Sequence, residues 1–202
     1  MFMNAKKVKK GMRLPFKRRM ESKTDYKRRL DLLKSGRPRL VLRKANDSLH
    51  LQIVKFEHAG DKTLIEVGSK ALSKFGWTLH AGSIPAAYLA GYMIGKKAVE
   101  AGIEEAVLDI GLRSATKGSS LFAAAKGAAD AGLDLPLSEE AVPDEKRLTG
   151  EHIAAYAKKL KSDAAAYAKQ FGASKDAERA PELFAAVKKK LGEAGKAQQK
   201  GK

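Results

Sequence analysis

The chain has 202 residues, 44% of them hydrophobic, no cysteine, and a formal net charge of +17. That length provides for one domain with extensions around one core, and the missing thiols exclude disulfides, thiolate metal sites and a cysteine nucleophile. The charge calls for a polyanionic partner, while the longest near-apolar run, Ala81–Gly95, has 15 residues with one proline and three glycines, short of the roughly 18 needed to span a bilayer.

The charge is uneven along the chain. Residues 1–44 hold 17 Lys and Arg against 3 Asp and Glu, a net of +14. Residues 45–150 carry a net of −3, and residues 151–202 a net of +6. A nearly neutral body therefore bears a strongly cationic arm and a moderately cationic tail. The first ten residues, MFMNAKKVKK, have no apolar stretch of signal-peptide kind.

Residues 1–36 form the arm, which has too few apolar side chains to pack alone and is expected to be largely disordered until it binds. Its basic residues include Lys9, Lys10, Arg13, Lys17, Arg18, Arg19, Lys23, Lys27, Arg28, Arg29 and Lys34. Asp25 is placed to cap a short helix, with Tyr26, Leu30 and Leu33 on one face and Gly36 ending it. A body of mixed α/β class follows over residues 37–135. Pro38 precedes the first strand, Arg39–Lys44, where Leu40 and Leu42 point one way and Arg39 and Arg43 the other. Asn46–Ser48 is turn chemistry. In LHLQIVKF, Leu49, Leu51 and Ile53 share one face, with His50 and Gln52 opposite. After a second turn, HAGDK, the segment TLIEV puts Ile65 and Val67 inward and Glu66 outward. These three strands read as an antiparallel meander with one oily and one polar face.

The hydrophobic period then lengthens. Ser83 caps a predicted helix ending near Gly102, with Ile84, Ala87, Tyr88, Gly91, Gly95 and Ala98 on one stripe, small enough for close approach to the sheet. EEAVLDIG is a fourth strand, reached by a helical crossover and so expected to be parallel to a neighbour. A second helix runs over SSLFAAAKGAADAG, capped by Ser119 or Ser120. The body is thus β-β-β-α-β-α, a mixed sheet with helices on its apolar side. Residues 136–150 read as an acidic, proline-bearing loop. Residues 151–202 read as C-terminal helices, one spanning EHIAAYAKKLKSDAAAYAKQFG and one starting near Pro181, then a frayed basic tail. Their apolar faces are mostly alanine without tryptophan, which favours docking on the body or a neighbouring protein over membrane binding.

The strand–loop–helix around Gly111–Ser120 has the outline of a phosphate-binding loop. A P-loop ends Gly-Lys-Ser/Thr, whereas here Lys117 precedes Gly118. Asp109, on the same strand, has no matching acid for a magnesium ion. Arg113, Lys117 and the hydroxyls still suit one backbone phosphate at a helix N-terminus, and a plain helix cap is the simpler alternative. His50, His58, His80 and His152 are scattered, so no metal site is expected. No nucleophile elbow occurs, and no cofactor is implied. Trp77 is expected to pack under its turn rather than stack on a base. A phosphate-handling enzyme using residues 111–120 and a non-specific basic nucleic-acid-binding protein remain the rival readings. The misordered loop counts against the first, and the well-patterned body against the second.

YKRRLDLLKSGRPRLVLRKAN followed by LHLQIV resembles the 5S-rRNA-binding protein family of the large ribosomal subunit, number eighteen in the bacterial naming. The resemblance rests on Arg37, Pro38, Arg39, Leu40, Asn46 and Gln52. Residues 81–157 look like its archaeal branch, and the likeness covers about residues 23–160. What it implies is a structural, non-enzymatic role in the cytoplasmic ribosome: binding 5S rRNA, helping attach it in the central protuberance, and touching 23S rRNA and neighbouring large-subunit proteins. It implies no membrane and no obligate homo-oligomer. Combined with the residue pattern, it assigns RNA contacts to the arm cations with Tyr26, to Arg37, Arg39 and Arg43 on the strand, to Asn46, His50 and Gln52, and to Arg113 and Lys117.

Overall fold

A computed structural model describes residues 15–172 and 176–199. Its sheet has four strands in the order β3-β2-β1-β4, with β1 Arg39–Lys44, β2 Leu49–Lys55, β3 Lys62–Gly68 and β4 Val107–Asp109. The first three are antiparallel, and β4 runs parallel to β1 with Leu40 opposite Leu108. The meander and the parallel fourth strand agree with the alternation and the crossover. The fourth strand is shorter than its apolar run suggests: only Val107–Asp109 pair with β1, and Glu105 instead bridges Asp134.

Leu40, Leu42, Leu49, Leu51 and Ile53 are fully buried on the apolar face. Two central helices complete the layer, α3 Ile84–Glu100 and α4 Ser120–Asp130. The Ser83 hydroxyl accepts the Ala86 amide at 3.4 Å and caps α3. Ser119 holds the N-cap position of α4 without a side-chain hydrogen bond. The two glycines of the α3 stripe, Gly91 and Gly95, face α4 rather than the sheet that the stripe suggested. A Cβ at Gly91 would run into the Ala124 carbonyl, one at Gly95 would lie 2.6 Å from the Ala128 carbonyl oxygen, and one at Gly127 would strike the Tyr88 carbonyl. The glycines therefore bring α3 and α4 into backbone contact, which no larger residue permits.

The connections and the tail add one element and three corrections. Residues 69–75, between β3 and α3, form a 3-10 helix, under which Trp77 is 4% exposed, packed as expected. The segment 136–150 contains a 3-10 turn and a short helix, α5 Glu145–Thr149. The helix expected over 151–172 is broken into α6 Glu151–Leu160 and α7 Ala164–Phe171, because the Asp163 carboxylate accepts the amides of Ala165 and Ala166 and starts a new helix. The last helix, α8 Ala180–Gln199, extends through most of the segment expected to fray. It docks on the body through buried Phe184, Val187 and Leu191, with the Phe184 ring 5.4 Å from that of Tyr88. The Tyr88 hydroxyl donates to Asp130 at 2.7 Å and accepts from Lys188 at 2.8 Å. Burial, reinforced by Asp130, raises its pKa and keeps it protonated.

Candidate nucleic-acid interface

The polar face of the sheet meets the described part of the arm. The arm has two short helices here, α1 Lys17–Met20 and α2 Tyr26–Leu33. The Asp25 carboxylate accepts the amides of Lys27 and Arg28 and caps α2, as its position suggested. Tyr26 is half-buried against Phe16, with ring centroids 5.4 Å apart. Leu30, however, is 55% exposed, and no residue of α2 is fully buried. Ionic contacts tie α2 to the body. Arg29 donates to both carboxylate oxygens of Asp61 at 2.9 Å, and Arg28 donates to the Gly111 carbonyl at 3.0 Å.

Arg39 corrects the expectation of a displayed guanidinium. It points to the polar face, as alternation requires, yet it is 3% exposed. Its Nη1 donates to Asp109 at 3.0 Å and its Nη2 to Asp61 at 2.7 Å. Val41 and Val54 on the same face are also buried, so this end of the face is covered. Arg43 remains half-exposed at the other end. Its Nη1 donates to the carbonyls of Leu42 and Asp109, and its Nη2 to the Asp109 carboxylate at 3.2 Å. Gly111, at φ 66°, leaves room for it: a Cβ there would lie 3.0 Å from the guanidinium carbon.

A groove of about 470 Å³ opens between the arm and the sheet. Arg18, Lys23, Arg28, Arg43, Lys44 and Arg113 bring positive charge to it from the arm, β1 and the loop after β4. Arg113 is oriented by the Lys44 carbonyl, and Arg18 by Thr24, each at 2.9 Å. Beside the groove, His50 lies opposite Arg43, and Gln52 opposite Val41. His50 is exposed and Gln52 half-buried, so both share the polar face as the alternation indicated.

The other expected contacts are dispersed. Lys17, Arg19, Lys27 and Lys34 are exposed on α1 and around α2, and Asn46 is exposed in its turn. Arg37 pairs with Glu105 at 3.1 Å on the surface. Lys117 lies away from the groove and meets Glu140 at 2.7 Å, both side chains more than 70% exposed. Such a pair is weak in water. Lys9, Lys10 and Arg13 lie outside the described residues. Residue types alone did not single out Asp61, which reads as an ordinary turn residue, and drew attention to Asp109 only as a rival catalytic acid. One signal was available: an arginine among Val41, Val54 and Val107 on neighbouring polar-face positions needs a buried counter-charge.

Partial burial alone would raise the Asp61 pKa, but hydrogen bonds from Arg29 and Arg39, aided by their charge, hold it below the ordinary aspartate value. A group whose pKa is lowered by folding contributes stability above its unfolded pKa and loses it as pH falls through the folded value. The stability difference between the parent chain and an Asp61→Asn variant is therefore expected to be constant near neutrality and to shrink between about pH 5 and about pH 2. Urea unfolding across that range measures it; a difference that grows on acidification would reverse the sign assigned to Asp61.

The family described as "Ribosomal large subunit proteins 60S L5, and 50S L18" matches residues 10–105 and 100–138. The large ribosomal subunit protein uL18 of Methanococcus maripaludis is 50% identical over 171 residues, covering 85% of this chain and 86% of that protein. Both the family match and the high identity over most of both chains lead to one conclusion: the chain belongs to this family of large-subunit ribosomal proteins, as a structural, non-enzymatic constituent of the cytoplasmic ribosome that associates with ribosomal RNA and other ribosomal proteins.

Proposed function

We propose that the chain binds 5S rRNA and helps attach it to 23S rRNA in the central protuberance of the large subunit. The observation that carries this reading is the convergence of cations from α1, α2, β1 and the loop after β4 on one groove beside a polar sheet face. Arg43 presents a planar, oriented guanidinium that suits a phosphate or an unpaired base. His50 and Gln52 offer hydrogen-bonding groups for base edges or ribose hydroxyls. The arm adds phosphate contacts whose strength comes from released counterions. On this division of labour, the groove and sheet supply selectivity and the arm supplies salt-sensitive affinity.

The test compares 5S rRNA with transfer RNA at low salt and at about 0.3 M salt, where loose phosphate contacts weaken strongly. Selective 5S binding that survives the higher salt is expected. Loss of both RNAs together would reduce the chain to a non-specific polycation. Arg43→Ala is expected to weaken 5S binding on the order of tenfold, the loss of one charge-assisted contact, and to affect transfer RNA less. Deleting residues 1–22 removes eight cations; it should flatten the salt dependence while the body stays folded by circular dichroism. An equal effect of Arg43→Ala on both RNAs, or an unchanged salt slope after the deletion, contradicts the assignment.

A further inference from the structure

We propose that Asp61 and Asp109 are positioning residues for RNA binding: two carboxylates within a cationic face that clamp α2 to the sheet and build the groove before RNA arrives. This rests on the RNA-binding reading above and adds the means by which the groove is held.

A carboxylate beside a phosphate-binding groove repels the ligand, so neither acid is there to contact RNA. Their geometry gives them another role. Arg29 of α2, Asp61 of the β2–β3 turn, Arg39 of β1, Asp109 of β4 and Arg43 of β1 form one unbroken chain of contacts between 2.7 and 3.2 Å. Both Asp109 oxygens are engaged, Oδ2 by Arg39 and Oδ1 by Arg43 and the Gly111 amide at 2.8 Å. The Arg28 contact to the Gly111 carbonyl ties α2 to the same loop.

Apolar packing does not replace this chain of contacts. An eight-residue helix is marginal by itself in water, and α2 has no fully buried residue. With its ion pairs made, α2 forms one wall of the groove, and RNA meets cations already in place. Less ordering is then left for the binding step, which raises affinity without a new contact.

The experiment separates charge from position because the two predict opposite signs. Asp61→Asn adds one unit of positive charge, so charge alone predicts tighter RNA binding. Positioning predicts 5S rRNA affinity reduced about three- to tenfold. It also predicts trypsin cleavage within residues 27–34 of the RNA-free protein accelerated about fivefold as α2 opens, with the circular dichroism of the body retained. Asp61→Glu, which keeps the charge, should recover part of both losses. Asp109→Asn should weaken 5S binding in the same direction, but Asp109 is buried, so Asp61 provides the decisive test. Unchanged cleavage in Asp61→Asn overturns the clamp. Faster cleavage with unchanged or tighter RNA binding overturns its role in recognition. The cleavage result stands without RNA, so a failure of 5S selectivity in the parent chain is distinguishable from a failure of the clamp.

Discussion

Gly91→Ala is expected to destabilise the body by roughly 3 kcal/mol, although alanine is the better helix former by about 1 kcal/mol. The sign follows from what the new methyl would meet. All three nearest atoms are backbone atoms of Ala124 on α4, and backbone cannot rotate aside as a side chain can. Gly95 and Gly127 repeat the arrangement along the same seam, so α4 has no nearby position to which it can slide. The helices must separate, and Ala124 and Ala128, which lie against the glycines, lose close packing. For a chain of this size, about 3 kcal/mol lowers the melting midpoint by roughly 6–12 °C. Gly192→Ala provides the control: it is also helical, and a Cβ there meets nothing within 4 Å. It should leave the midpoint unchanged or raise it slightly. If Gly91→Ala matches this control in thermal unfolding, the helices are not held in backbone contact in solution.

Arg39→Ala is expected to be the costliest change on the polar face, at about 3–5 kcal/mol. Most of that cost is borne by what remains. Asp109 stays buried with one charged partner fewer, and Asp61 loses its shortest contact. Asp109→Asn removes the stranded charge, so the double variant should be less destabilised than the sum of the singles. A coupling within about 0.5–3 kcal/mol is the range for residues in one network. Strict additivity in urea unfolding would show that the pair contributes no linked stabilisation. RNA affinity should fall in Arg39→Ala through loss of the fold and the clamp, since its guanidinium is not displayed. Arg43→Ala, by contrast, should retain the parent melting midpoint more closely while losing RNA.

These expectations show which links between residues and structure were legible. The meander was, because Leu40 and Leu42, and then Leu49, Leu51 and Ile53, recur at every second position over stretches bounded by turn chemistry. The start of α3 was equally plain at Ser83. The direction of the glycine stripe was not: periodicity says that Gly91 and Gly95 share a face, and cannot say whether a sheet or a helix lies against it. The break between α6 and α7 was hidden for a related reason. Asp163 sits in a polar interval where a continuous helix and a fresh N-cap have the same residue types. At the candidate interface, the cations were visible as a composition bias, whereas the acids that organise them were not. Alternation assigns Arg39 to the polar face but does not reveal that part of this face is covered. Asp61 acquires its meaning only when the turn after β2 is folded next to β1 and α2.

The strand order has a consequence for how the chain is made. β1, β2 and β3 join through short turns, so their pairing is local in the chain and quick to form. β4 reaches β1 only after α3 has crossed the sheet, a closure that bears the entropy of a long loop. Asp109 arrives with β4, and until then Arg39 and Arg43 have no carboxylate from that strand to fix them. A nascent chain that has folded only its meander already carries the whole cationic arm but lacks the groove. It meets RNA as a polycation, through contacts that salt readily dissolves. On the proposed reading, oriented recognition requires the last strand to be seated, so the groove is a property of the completed fold rather than of the arm.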